Sequence, residues 1–204
     1  MFVIGLTGGI GTGKTEVTHV LRELGAVVIE SDKVAHLSYR PGTDAYDEII
    51  DQFGKEVLDD SGVIDRGKLG GLVFAGADSR IQLEKIVWPA VRSWITERLI
   101  HEKERGTKII VIEVPKLFEA GWEDLADAIW TVEAPSAVIT QRVNVRLNLS
   151  ETEKNARVQA QITRVERAER ADLVIENSGE LADLRERITD LWRTTPEIQN
   201  AINN

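Results

Sequence analysis

A glycine-rich segment between an apolar run and an amphipathic stretch constrains the fold of this chain more than any other feature. Residues 8–15 read Gly-Gly-Ile-Gly-Thr-Gly-Lys-Thr, which fits the pattern of a glycine, four residues and then Gly-Lys-Thr. The apolar residues 2–6 predict a strand before it. Residues 16–24 predict a helix after it, since their apolar side chains recur at the i, i+3, i+4, i+7 spacing of one buried face. Gly25 is expected to end this helix in a left-handed conformation.

The residue types of this segment suit the binding of a nucleoside triphosphate. Small residues let phosphate oxygens approach the main chain, and successive N–H groups form an anion-binding concavity at a helix N-terminus. Lys14 adds a positive charge for the β- and γ-phosphates, and the Thr15 hydroxyl is a ligand for Mg²⁺. The strand–loop–helix context therefore predicts a phosphate-binding loop rather than a glycine-rich turn without a ligand.

Composition limits the class of protein. The 204 residues suffice for one α/β domain with insertions, and 42% hydrophobic content is enough for a core. Acidic residues outnumber basic ones by 34 to 25, and the net charge of −9 disfavours a nucleic-acid backbone as main partner. There is no cysteine, the three histidines are scattered, and no apolar stretch reaches membrane length. We therefore expect a cytoplasmic protein without nucleic acid or membrane as partner, and the sequence does not set its oligomeric state.

Five short apolar runs alternate with helical patterns along the chain. β-branched residues dominate these runs without the alternation of a half-exposed strand, which is typical of parallel strands buried on both faces. Strands that alternate with helices predict a doubly wound α/β sheet whose carboxyl ends line a ligand crevice. The polar tail at 194–204 is expected to be disordered. The expected strands are residues 2–6, 26–29, 109–114, 128–132 and 173–175.

The interval between the second and third strands, residues 33–108, is too long for a simple crossover. It contains an amphipathic stretch at 44–53 and a helix expected to be capped by Asp65. A long helical pattern then runs from about residue 79 to 105, and Pro89 is expected to interrupt it. We interpret the interval as a helical subdomain that binds the phosphoryl acceptor, and a helical cover over the sheet is the alternative.

A second long interval, residues 136–170, is rich in arginine and predicts two helices, the second opened by a capping box at 150–153. Cations neutralise the charge that spreads over a transferred phosphoryl group, so this interval is expected to be a lid that excludes water. A solvated helix face is the alternative for most of these arginines, and Arg142 is the best candidate for a phosphate contact. The polar side chains in question are Arg142 and Arg146 on the first helix, and Arg157, Gln161 and Arg164 as a stripe on the second.

Two carboxylates follow strands at the expected catalytic edge. Asp32 comes just after the second strand, where a kinase needs an acid that orients the acceptor hydroxyl and takes its proton. A helix N-cap is the alternative role for Asp32. Glu113 ends the third strand, where an acid can hold a water bound to Mg²⁺, and a solvated carboxylate is the alternative.

Short segments spread over about residues 1–190 carry a family resemblance. The opening, residues 6–15, and the stretch Ser-Asp-Lys-Val-Ala-His at 31–36 are two of them. Together with the others they resemble the dephospho-coenzyme A (dephospho-CoA) kinases. The further matching segments are residues 41–42, 53–54, 62–66 with Leu69 and 73–74, 89–92, 114–119, 141–143, 156–157 with Gln161, and 171–175 with Asn177.

The resemblance implies an activity and an architecture. In this family the 3′-hydroxyl of the ribose of dephospho-CoA attacks the γ-phosphate of ATP, which is the last step of CoA synthesis. ATP and Mg²⁺ are therefore the implied cofactors, and a P-loop kinase core with a five-stranded parallel sheet is the implied fold. The implied parts are a core of about 1–32, 109–135 and 171–193, a helical acceptor-binding insertion of about 33–108, and a small lid of about 136–170.

The resemblance also implies roles for individual residues at the positions that match the family pattern. Asp32 is implied to activate the acceptor and Arg142 to belong to the closing lid; with Lys14 they form the expected catalytic set. Thr15 and Glu113 are the expected metal ligands. The residues implied to bind the ATP phosphates are Gly11, Thr12, Gly13, Lys14, Thr15 and Glu16.

Three residues depart from the family pattern: Glu16 replaces a threonine, Trp88 a histidine, and Lys116 the first leucine of Pro-Leu-Leu. An acid near the phosphates could weaken ATP binding, and the other two leave room for an altered acceptor preference. The enzyme alternative is another small P-loop kinase acting on a nucleoside monophosphate or a small hydroxylated metabolite. The alternative from a different functional class is a GTPase-type switch that binds partners, but only an Asp-x-x-Gly string at 59–62 fits it, and no Asn-Lys-x-Asp segment exists.

Overall fold

The computed structural model describes residues 1–146 and 161–203. The chain divides into two compact units. The sheet unit consists of Met1–Glu30 and His101–Asn204, and the helical unit consists of Ser31–Ile100. No helix in the described part of the chain is long and apolar enough to cross a membrane.

The sheet unit contains the predicted five-stranded parallel sheet, with strand order β2-β3-β1-β4-β5. Its central strands β1, β3 and β4 are almost fully buried, as the apolar runs predicted. The expectation of burial on both faces is wrong for the two edge strands, since only one residue of each is buried and Val174 of β5 is 37% exposed. The strands are β1 (Phe2–Gly8), β2 (Val27–Glu30), β3 (Ile109–Glu113), β4 (Ala128–Glu133) and β5 (Leu173–Glu176).

Five helices belong wholly to the described part of the sheet unit, and an apolar core lies between some of them and the sheet. The first, α1, buries Val17, Val20 and Leu21 as its spacing predicted. Gly25 follows it with φ 105°, so the predicted left-handed cap is confirmed. The helices, in the order used below, are α1 (Lys14–Glu23), α6 (Ser136–Arg146), α7 (Arg164–Arg170), α8 (Leu181–Thr194) and α9 (Pro196–Asn203).

The C-terminal tail is helical, so the expectation that it is disordered was wrong. Ile198 of α9 is fully buried in the core cluster that also contains Trp192 of α8. The Gln199 side chain donates a hydrogen bond to the Trp192 carbonyl at 2.8 Å. Burial of Ile198, with Ala201 packed against the same cluster, therefore holds a mostly polar segment against the core.

The helical unit is built from α2 (Ser31–Ser38), α3 (Asp44–Phe53), α4 (Arg66–Ala75) and the part of α5 (Ala77–Glu104) that ends at Ile100. Its predicted cap is confirmed, because the Asp65 carboxylate accepts hydrogen bonds from the N–H groups of Gly67 and Lys68. The amphipathic stretch at 44–53 is helix α3, as predicted.

Helix α5 runs without a break through Pro89, so the predicted interruption was wrong. A proline removes one main-chain hydrogen bond and crowds the preceding turn. Val87, Val91 and Ile95 lie on either side of it at helical spacing and are buried. Packing of this face offsets the local cost and keeps the helix continuous.

Candidate functional site

The glycine-rich loop connects Gly8, the last residue of β1, to Lys14, the first residue of α1. Three of its glycines have positive φ, namely Gly8 at 147°, Gly11 at 75° and Gly13 at 103°. A Cβ atom added to Gly8 would lie 2.4 Å from the Val132 carbonyl oxygen. Side chains are therefore excluded here both by backbone conformation and by space, as a cradle for phosphate oxygens requires.

Thr12 fixes the shape of this loop from within. Its side chain is fully buried, and its hydroxyl donates to the Gly9 carbonyl at 2.9 Å. Its own carbonyl accepts a hydrogen bond from the Asn177 amide at 2.7 Å. The loop is thus tied to itself and to the residue that follows β5, which keeps its main-chain N–H groups in fixed directions.

Lys14 lies back over the loop. Its ammonium donates hydrogen bonds to the carbonyls of Gly8 and Gly9, both at 2.9 Å. This places a positive charge beside the N-terminal end of α1, where the helix dipole also favours anions. The donor set is the one that a triphosphate needs, so a nucleoside triphosphate fits this loop as a substrate.

Glu16 has a partner that the sequence did not reveal. Its carboxylate accepts a hydrogen bond from Arg185 of α8 at 2.7 Å. Arg185 also pairs with Glu23, and the hydrogen bonds that Arg185 donates, to Glu16 first and to Glu23 second, raise its pKa above the usual value. The guanidinium offsets the negative charge that Glu16 brings near the loop. We therefore expect Glu16 to weaken ATP binding less than an unpaired acid would.

Arg142, on α6, lies next to the loop in the same unit. Its guanidinium donates to the main-chain carbonyl and the side-chain oxygen of Asn177, each at 3.3 Å. A Cβ atom on Gly13 would lie 2.2 Å from the Asn177 amide nitrogen and 3.9 Å from Arg142. The structure therefore brings Lys14, Arg142 and the loop together around Gly13.

The two expected metal ligands lie at the start of α1 and at the end of β3, on the side of the sheet where the strands end. Thr15 is exposed in the first turn of α1, and Glu113 is the half-buried last residue of β3, in register with Leu6 of β1. Among residues 1–146 and 161–203 no group of three or more His, Asp or Glu side chains could hold a metal ion. A Mg²⁺ ion bound through one or two protein groups and the substrate phosphates needs no such group, so these residues fit it.

Asp32 belongs to the helical unit. It is the second residue of α2 and is exposed, so it lies inside the first turn and the alternative of an N-cap is wrong. Four residues later, His36 is hydrogen-bonded through Nδ1 to the Tyr39 hydroxyl. Burial, and then the charge of Arg66, lower the pKa of His36, while the Asp32 carboxylate opposes this. The expected role of Asp32 as the acceptor-activating base stays a prediction.

The predicted polar stripe in the second interval is wrong. Gln161 precedes the helix that starts at Arg164, and Thr163 caps that helix, so the two side chains do not share one helix face. Arg164 pairs with Glu176 at 2.6 Å on the surface, in line with the solvated alternative. Arg142 and Arg146 are both in α6, as predicted. Arg157 and the capping box at 150–153 lie outside the described residues.

A buried ion pair between Arg167 and Glu133, which was not predicted from the sequence, supports the loop from the side of β4. Arg167 donates through Nε at 2.7 Å and Nη2 at 3.0 Å to the carboxylate of Glu133, which is fully buried. A Cβ atom on Gly9 would lie 3.0 Å from Nη2 of this arginine. A charged residue at the end of the apolar run of β4 was the signal that could have found it.

Comparisons with known proteins agree on one family. A sequence model of the dephospho-CoA kinase family matches residues 2–183. The dephospho-CoA kinase of Carboxydothermus hydrogenoformans is 40% identical over 186 residues, which cover 91% of this chain and 90% of that relative. The dephospho-CoA kinase of Geobacter sulfurreducens is 39% identical over 192 residues, which cover 94% and 98%.

One solved structure points to the same family, and a second shows a likeness of fold. The dephospho-CoA kinase from Campylobacter jejuni superimposes with a TM-score of 0.69 and 28% identity, covering 95% of this chain and 96% of that one. Shikimate kinase from Acinetobacter baumannii has a TM-score of 0.54 at 15% identity over 96% and 95% of the two chains, which is a likeness of fold alone. This chain belongs to the dephospho-CoA kinase family.

Proposed function

We propose that this chain transfers the γ-phosphoryl group of ATP to the 3′-hydroxyl of the ribose of dephospho-CoA, giving CoA and ADP in the last step of CoA synthesis. The observation that carries the proposal is the arrangement around Gly13, where Lys14 and Arg142 flank a phosphate-binding loop in a chain of this family. The acidic balance of −9 supports small-molecule substrates rather than nucleic acid, and a cytoplasmic location is part of the proposal.

The loop and Lys14 bind the triphosphate. Main-chain N–H groups of residues 11–16 receive the phosphate oxygens, and the Lys14 ammonium leaves the carbonyls of Gly8 and Gly9 for the β- and γ-phosphates. This exchange replaces two neutral acceptors by anionic ones, which strengthens each hydrogen bond.

Arg142 neutralises charge on the transferred group. Phosphoryl transfer passes through a loose transition state in which charge spreads over three oxygens, and a guanidinium presents two parallel donors to them. The hydrogen bonds from Arg142 to Asn177 are long, at 3.3 Å each, so their loss costs little when the guanidinium turns to a phosphate.

Asp32 orients the ribose hydroxyl and accepts its proton in this proposal. It is the second residue after β2, in a helix of the unit that we propose binds the acceptor. Its exposed carboxylate is suited to a group that must meet a substrate.

Thr15 and Glu113 would hold Mg²⁺, Thr15 directly through its hydroxyl and Glu113 through a bound water. When bound, the ion supplies positive charge to the phosphate oxygens.

Identification of the product tests the proposal. Purified protein, ATP, Mg²⁺ and dephospho-CoA should yield ADP and CoA in equal amounts, with the new phosphate assigned to the ribose 3′-oxygen by phosphorus–proton coupling in NMR spectra. Lys14→Ala protein is the control for contaminating kinases. ADP release without a phosphorylated dephospho-CoA, or a phosphate on another hydroxyl, would contradict the proposal.

A further inference from the structure

The side-chain amide of Gln161 bridges two main-chain groups that are far apart in the sequence. Its Oε1 accepts a hydrogen bond from the Ile10 N–H at 3.1 Å, and its Nε2 donates one to the Pro115 carbonyl at 2.9 Å. Ile10 lies in the phosphate-binding loop, and Pro115 is the second residue after Glu113, where β3 ends. The amide therefore joins the loop to the strand end that carries the expected metal-binding acid.

The residue type matches both partners. The Ile10 N–H needs an acceptor and the Pro115 carbonyl needs a donor, and a primary amide carries both kinds of group on a single planar unit. An ionised carboxylate only accepts, and a lysine or arginine side chain only donates. Among side chains of this length, glutamine is thus the one that satisfies both groups at neutral pH.

The main chain next to Gln161 is itself held in place. The Ile162 N–H donates to the Glu119 carboxylate at 2.8 Å, and the Ile162 carbonyl accepts from Nη1 of Arg167 at 2.6 Å. Arg167 is buried through its pair with Glu133. The Gln161 side chain therefore extends from a fixed base, which lowers the entropy lost in forming its two hydrogen bonds.

The segment from Gln161 to Arg167 supports the first half of the phosphate-binding loop. Arg167 lies against Gly9, and Gln161 holds Ile10, whereas Asn177 holds the second half through the Thr12 carbonyl. Loop N–H groups stabilise phosphate charge only when their directions are fixed in advance. Each half of the loop has a side-chain amide that fixes it.

We propose that Gln161 is a positioning residue for phosphoryl transfer, which holds the loop at Ile10 against Pro115 so that the loop N–H groups face the phosphates. The transfer step rests on the proposed function, but the effect on nucleotide affinity does not. Loss of the bridge weakens ADP and ATP binding and slows transfer, and it leaves the affinity for dephospho-CoA unchanged.

The test compares Gln161→Glu with Gln199→Glu at pH 8. Both changes add one charge and remove one hydrogen bond to a main-chain carbonyl, but Gln199 donates to Trp192 in the C-terminal helices. Gln161→Glu should raise the Kd of Mg·ADP, measured by calorimetry, and lower kcat/KM for ATP, each by about tenfold or more. The KM for dephospho-CoA should stay within about threefold, and Gln199→Glu should stay within about twofold of wild type in every constant.

The pH dependence of ADP affinity gives a second measurement, which a merely structural role of Gln161 would leave unchanged. A protonated glutamic acid again carries a donor beside an acceptor, so the ADP affinity of Gln161→Glu relative to wild type should recover in part as the pH falls from 8 towards the ordinary carboxyl pKa of about 4.3. The leucine of Gln161→Leu cannot donate at any pH, so the ADP affinity of this variant relative to wild type should not change with pH. This variant also tests the bridge if Gln161→Glu does not fold.

Three results would overturn the proposal. The first is ADP binding and turnover within about threefold of wild type in both Gln161 variants. The second is a loss of ADP affinity and of kcat/KM for ATP in Gln161→Glu that is no larger than the loss in Gln199→Glu. The third is a pH-independent ratio for Gln161→Glu. Failure of the wild type to phosphorylate dephospho-CoA would count against the proposed function alone, because the ADP titration still decides the role of Gln161.

Discussion

Replacing Arg167 by methionine should destabilise the protein strongly. The variant keeps an apolar stem of similar length but removes the partner of a carboxylate that is fully buried. In the wild type the Glu133 carboxylate accepts from Arg167 at 2.7 and 3.0 Å and from the Thr131 hydroxyl at 2.8 Å. Only the hydroxyl remains in the variant, so a buried charge loses two of these three hydrogen bonds.

The expected loss in free energy of unfolding is about 3–5 kcal/mol, the usual cost of breaking a buried ion pair from one side. At about 2–4 °C per kcal/mol for a chain of this size, Tm should fall by roughly 6–20 °C. The double variant Glu133→Gln with Arg167→Met buries no unpaired charge and keeps the contact to Thr131. It should therefore be more stable than the single Arg167→Met variant by about 1–3 kcal/mol.

Urea unfolding at 25 °C, followed by circular dichroism, measures these differences. Arg164→Met is the matched control, because Arg164 lies one helical turn away and pairs with Glu176 on the surface. That pair should contribute no more than about 1 kcal/mol. If Arg167→Met lost no more stability than Arg164→Met, or if the double variant were less stable than the single one, the account of this buried pair would be refuted.

Four further substitutions test individual site residues. Lys14→Ala should lower kcat by about 10²–10³ or more while the protein stays folded, and near-wild-type turnover would remove its phosphate role. Asp32→Asn should lower kcat by roughly 10²–10⁴ with little change in ATP affinity, whereas an unaffected kcat would exclude a base. Arg142→Lys should reduce kcat more than KM because the planar fork is lost, and unchanged kcat in both Arg142→Lys and Arg142→Ala would contradict a phosphate clamp. Trp88→His should leave kcat within about tenfold, and a rise of roughly a hundredfold would show that the natural chain is impaired there.

Much of the fold could be predicted because its signals are local. The β-branched runs and the glycine loop predicted all five strands and the first helix, since period and residue type act within a few positions. Which strands lie at the edges is set by strand order, so the exposure of Val174 was not predictable from its own run. The continuity of α5 at Pro89 and the docking of Ile198 depend on tertiary packing, which overrides local propensity.

The candidate site likewise has a part that could be predicted from the sequence and a part that could not. Lys14 and the loop are one contiguous motif, and Arg142 stood out in an arginine-rich interval after β4. The partners that hold the loop come from distant positions, since Asn177 lies 165 positions after Thr12 and Gln161 lies 151 positions after Ile10. A single sequence shows that such side chains exist but not which main-chain group each one meets.

The acceptor preference tests the central claim most directly. Wild-type protein with saturating Mg·ATP would be offered dephospho-CoA, AMP, CMP and shikimate separately, with kcat/KM taken from ADP release. The account predicts that dephospho-CoA exceeds each of the other acceptors by a wide margin, about 10³-fold or more, as expected for a member of the dephospho-CoA kinase family. An equal or higher kcat/KM for AMP, CMP or shikimate would contradict the claim that this chain is a dephospho-CoA kinase in activity as well as in family.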